Sequence, residues 1–212
     1  MKKIFFYDEI NIRNIVFSDN NYNVVPLLYK DTDNCLYQPI IKLPKLYCYD
    51  SVVKKETKYS ICELYILLNK ESYGSNNKNS YESDNKECEN NSVLSFFYEL
   101  DQFFLEYGKL NKNKYHVNKY KSLIRYYNSH KFFKIKFLKT PDVTTEISSE
   151  IDDISEPNID SFHMNTIVDI YLEITAVWFK DNIYGTYYKL HKIDIVDCDH
   201  YLQNNDIYVI SD

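Results

Sequence analysis

The stretch that decides the fold runs from Ile167 to Val196 and reads IVDIYLEITAVWFKDNIYGTYYKLHKIDIV. Val168, Ile170, Leu172, Ile174, Ala176 and Trp178 recur at every second position. That is the period at which side chains of a strand share one face. Lys180–Gly185 carries turn residues and Thr186–Val196 runs back, so the segment predicts a long antiparallel hairpin. Alternation places Trp178 with the core residues. As the sole tryptophan it is also a candidate stacking ring, and the sequence leaves both roles open.

Outward from the hairpin, Phe132–Leu138 predicts another strand, with Phe133, Ile135 and Phe137 on one face and Lys134 and Lys136 on the other. Tyr59–Leu68 alternates likewise, Cys62, Leu64, Ile66 and Leu68 opposing Tyr59, Glu63 and Tyr65. Asn11–Phe17, Tyr22–Tyr29 and Leu36–Leu43 are β-rich, and Pro26, Pro39 and Pro44 mark them as edges or strand starts. Ser92 is the expected N-cap of a helix over Val93–Tyr107, with Leu94, Phe97, Asp101, Phe104 and Leu105 at helical spacing and Gly108 as terminator. A lesser helix is expected over Val117–Tyr127. Residues 69–91, a low-complexity run, are expected as a mobile loop, and the acidic residues 141–163 as a second loop. The 212 residues suit a single domain spanning 1–212.

Net charge is −6, which at first argues against a polyanionic partner. Its distribution says otherwise. Between Lys109 and Lys139 stand ten Lys or Arg and no Asp or Glu, leaving about −16 on the rest of the chain. Pro141–Asn165 holds seven acidic residues and no Lys or Arg, and further acids follow Lys192, so these segments are candidates to compete for the basic one. Tyrosine (22) and phenylalanine (12) are abundant, but with glycine scarce (3) this composition also reflects A- and T-rich coding DNA.

The informative pattern is cations interleaved with flat rings. Lys112, Lys114, Tyr115, Lys119, Tyr120, Lys121, Arg125, Tyr126, Lys131, Lys134 and Lys136 mix both, and Phe179, Lys180, Tyr184, Tyr187 and Lys189 add a second set near the hairpin tip. An unpaired nucleic-acid strand exposes phosphates to cations and base faces to rings, the latter worth about 1–3 kcal/mol per base. Duplex bases are already stacked and need no such rings. Against this stands the ordinary reading, in which a cationic run is a solvated face and strand aromatics are core.

Catalytic motifs are missing from the sequence. It has no GxxxxGK[ST] or GxGxxG, its five histidines (His116, His130, His163, His191, His200) are scattered, and Asp152 and Asp153 lie in a polar run. The five cysteines form no CxxC pair, and Met1–Tyr7 is no secretory segment, so a reducing, cytoplasmic setting is expected. A non-enzymatic protein without metal or cofactor is therefore expected. Its expected partner is single-stranded DNA, with RNA and replication proteins left open, no membrane contact, and oligomeric state not legible. The rival readings are a structural or interaction protein of a viral particle or replication complex, and a nuclease subunit.

Leu36–Tyr49 (LYQPIIKLPKLYCY), Phe96–Asn111, Lys131–Thr140 and above all Tyr171–Ile195 resemble segments of the single-stranded-DNA-binding proteins of nucleocytoplasmic large DNA viruses, asfarvirus- and mimivirus-like, and of related cytoplasmic linear DNA elements. The resemblance implies an oligonucleotide-binding (OB-like) barrel and sequence-independent coverage of DNA during replication, in host cytoplasm or at a viral replication site. Short strands with one helix independently suit a partly open barrel. The expected class is thus mainly β (α+β), an OB-like five-stranded barrel with extra strands and one packed helix.

Overall fold

The computed structural model describes residues 1–18, 23–49, 53–55, 61–68, 83–127, 130–138, 145–151, 161–164 and 166–197. In chain order these form β1 (Lys2–Phe6), β2 (Ile15–Phe17), β3 (Val24–Lys30), β4 (Leu36–Cys48), β5 (Val53–Lys55), β6 (Ile61–Leu67), α1 (Ser83–Leu110), α2 (Lys112–Tyr115), β7 (Lys119–Lys121), β8 (Ile124–Tyr127), β9 (His130–Leu138), β10 (Glu146–Ser149), β11 (Ile167–Lys180) and β12 (Ile183–Asp197). The chain is mainly β with one principal helix, and its twelve described strands join in one sheet.

β11 and β12 form the expected hairpin. Asp181 and Asn182 take positive φ (49° and 68°), the left-handed pair that a two-residue hairpin connection needs and that Asp and Asn tolerate best after glycine. β11 also pairs with β4, β4 with β6, and β6 with β9, every step antiparallel. β9 and β12 consequently run the same way and face each other across a seam where no ladder pairs them. Tyr188 of β12 spans it: its ring meets Phe133 at 5.1 Å and its hydroxyl donates to the Lys134 carbonyl. Burial pushes that hydroxyl's pKa up to about 12, so it stays a donor. The five strands make a partly open OB-like barrel, with β1, β2, β3, β5, β7, β8 and β10 attached around it.

Helix α1 packs on the core through Val93, Phe97, Leu100 and Phe104, a three- and four-residue spacing, all fully buried. It starts at Ser83, so residues 83–91 of the expected loop are helical and Ser92 is an interior residue bonded to the Tyr7 hydroxyl rather than a cap. The remaining 69–82 lie outside the described residues. Gly108 does not end the helix. A Cβ there would stand 2.1 Å from the Tyr184 ring, so glycine is what lets the helix backbone approach β12.

Three other expectations change. Val117–Tyr127 is not helical but forms β7 and β8, because edge ladders to β12 and β9 are open to it and Asp101 of α1 takes the Leu123 amide at 2.9 Å. β4 is a central strand despite its prolines. Pro44 falls at a break in the β11 register, where Lys45 has φ 48° and gives its amide to Asp169, the bulge that lets proline stay in the sheet. In the acidic stretch, residues 146–149 form β10 beside β12, while 152–160 lie outside the described residues.

Asp101 is buried and also accepts from the hydroxyls of Tyr120 (2.7 Å) and Ser122. Asp101→Ala would leave the Leu123 amide and both hydroxyls without it, so chemical denaturation should show a loss of about 3 kcal/mol. A loss under about 1 kcal/mol would mean that these groups find other partners.

Candidate nucleic-acid interface

Strand β7 pairs in parallel with β12, Lys119 opposite Ile183, Tyr120 opposite Tyr184 and Lys121 opposite Gly185. Alternation splits its side chains. Tyr120 turns inward to Asp101, and burial followed by that carboxylate's charge raises its pKa far above the tyrosine range. Lys119 and Lys121 turn outward and are exposed. The chain then crosses the seam to β8, where Arg125 stands opposite Phe132, and β9 contributes Lys134 and Lys136 to the same outer face.

These cations sense one another. Partial burial, then the positive charges of Arg125, Lys136 and Lys134, hold the Lys121 ammonium below the usual lysine pKa. Among the described residues no carboxylate pairs with Lys119, Lys121, Arg125 or Lys136. Lys134 differs, for its Nζ lies 2.6 Å from Glu63 of β6 and 5.5 Å from the centroid of the Tyr65 ring.

A flat ring stands beside the cations. The register of β11 against β12 slips between Ile174 and Ala176, leaving Thr175 unpaired in the ladder. The slip reverses the parity read from the sequence: Val177 and Phe179 turn into the core at 0% and 3% exposure, and Trp178 turns outward, half-buried. Its indole lies over Gly185, where a Cβ would sit 2.9 Å from Cζ2, with the Lys121 stem on the other side at 3.3 Å. Tyr187, half exposed, is 6.2 Å from the indole, and Lys189 follows it two residues on, on the same face.

The structure thus gathers Lys119, Lys121, Arg125, Lys134, Lys136, Tyr187 and Lys189 on the outer face, with Lys180 exposed at the hairpin tip near Asp181 (4.0 Å). Other candidates go elsewhere. Phe179 and Tyr184, expected as exposed ligand groups, are core residues. Tyr184 gives its hydroxyl to the Leu105 carbonyl, and Phe179 stacks flat on Tyr115 at 3.9 Å. Lys112 and Lys114 sit on α2, outside the ladder that holds β7, and Tyr126 and Lys131 meet Tyr98 of α1. Tyr65, which the sequence set outside the core without a role, is in register with Lys134. Of the acidic segments expected to compete, Glu146 and Asp194 both approach Lys192 rather than these cations.

Among the described residues, no group of three His, Cys, Asp or Glu could hold a metal ion, and no helix is long and apolar enough to cross a membrane. The arrangement offers fixed positive charge and an aromatic platform.

Gly185→Ala should lift the indole from the strand, at a stability loss of about 1–3 kcal/mol. Emission from Trp178 should shift to the red and become easier to quench with acrylamide. Unchanged emission would show that the ring does not rest on Gly185. No protein-family model and no curated protein matches the chain. Among solved structures it is similar to gp2.5, a single-stranded DNA binding protein encoded by bacteriophage T7, at 8% identity and a TM-score of 0.46, over 74% of this chain and 86% of that one.

Proposed function

We propose that this protein binds single-stranded DNA without sequence preference, covering the strand during replication of a viral or cytoplasmic DNA element. The carrying observation is the Trp178 platform on Gly185, set beside Lys119, Lys121, Arg125 and Lys136, which have no carboxylate partner among the described residues. Phosphates meet the cations, and bases, which are unstacked only in a single strand, lie on Trp178 and Tyr187. Nothing in this arrangement presents a directional donor and acceptor pair to a base edge, which accounts for sequence tolerance. The outer face of the second and third barrel strands, here β6 and β9, is also where OB barrels take oligonucleotides. No step of chemistry on the strand is required of these residues, which favours a binder over a nuclease subunit.

Titration with an oligothymidine should quench Trp178 emission, because a base stacked on indole drains its excited state. Log affinity should fall against log salt with a slope of about −3, for four phosphates at about −0.7 each. Changing Lys119, Lys121 and Arg125 together to Ala should bring the slope to about −0.7. Binding that leaves the indole unquenched, or a slope untouched by the triple change, would move the interface elsewhere. Duplex of the same length should bind more weakly, and equal affinity for it would remove the single-strand reading. A matched RNA oligomer settles the choice of sugar.

A further inference from the structure

Glu63 is an acid inside the cation cluster. It is 3% exposed, yet it lies on the outer face of β6, opposite Lys136 in the ladder, and its Oε2 takes both the Lys134 ammonium at 2.6 Å and the Tyr65 hydroxyl at 3.2 Å. Elsewhere on the outer sheet, Lys2, Lys42 and Lys192 meet acids of β11 or β12.

Resting on the single-strand reading above, we propose that Glu63 is a built-in competitor of the bound strand: it occupies Lys134 as a phosphate would, and so weakens the interface by one contact. Lys134 is the natural subject of such competition. Its side chain is about a quarter exposed, it is in register with Tyr65, and its ammonium stands 5.5 Å from the centroid of that ring, so it can turn from the carboxylate to a phosphate without refolding the strand. The consequence is a reversible binder whose grip is set below what its cations could give, suited to a coat that a polymerase must displace.

Glu63→Gln keeps the shape and the acceptor for Tyr65 while removing the charge. It should tighten oligothymidine binding about fivefold at about 0.1 M salt and steepen the salt slope by about 0.7, the signature of one more phosphate. Adding Lys134→Gln to that variant should erase both gains. An unchanged slope in Glu63→Gln, or gains that survive the second change, overturns the proposal while leaving single-strand binding intact. If the wild-type protein does not bind oligothymidine, the functional reading fails and this inference with it. Should Glu63→Gln not fold by circular dichroism, two single variants decide: Lys134→Gln should flatten the wild-type slope less than Lys136→Gln, and equal flattening refutes the competition.

Discussion

The candidate interface depends on one buried carboxylate. Asp101 of α1 takes the hydroxyls of Tyr120 and Ser122 and the amide of Leu123. Bonds to a charged acceptor contribute about 1.5–3 kcal/mol each, and here they hold a segment that crosses an unladdered seam. Because Tyr120 and Ser122 are drawn inward, Lys121 between them must face out. Three residues beyond Ser122, Arg125 opens onto the same outer side. A helix packed on the core thereby sets the direction of cations on the opposite face of the sheet.

The rest of the outer sheet treats its charges differently. Lys2 and His191 flank Glu173, Lys42 meets Asp169 at 2.8 Å, and Lys192 meets Asp194 at 2.8 Å, with Lys42 and Lys192 both near the Tyr171 ring. Those pairs cancel locally. Burial is the largest single effect on Glu173 and Asp194 and pushes their pKa values up, but their neighbours together outweigh it and hold both below the usual carboxylate pKa. The separation of charge along the chain has therefore become a separation in space: a neutralised ladder on β4, β11 and β12, and an excess of cations around the seam.

Much of the fold was legible because it follows strict period. The β11–β12 hairpin, β9, β6 and the hydrophobic stripe of α1 were readable from alternation or helical spacing. What failed did so where one residue breaks a period or where a partner lies far off in sequence. The slip at Thr175 sent Trp178 outward and Phe179 inward, and no local pattern announces a bulge that depends on the opposing strand. Val117–Tyr127 has no strong helical stripe, and its strand form rests on edges supplied by β12 and β9. Of the candidate site, Lys121, Arg125, Lys136 and Tyr187 are legible from charge and ring content. Tyr65 and Glu63 entered only through the β6–β9 register.

Tyr184 and Gly185 are consecutive on β12, and the protein has three glycines in all. One of these, Gly108, makes room for the Tyr184 ring on the inner side, and Gly185 itself receives the indole on the outer side. Helix backbone, strand and indole are thus layered with no aliphatic spacer between them. A methyl group at either glycine strikes an aromatic ring rather than solvent, so mutational tolerance should be lowest at these two positions, although neither carries a side chain of its own.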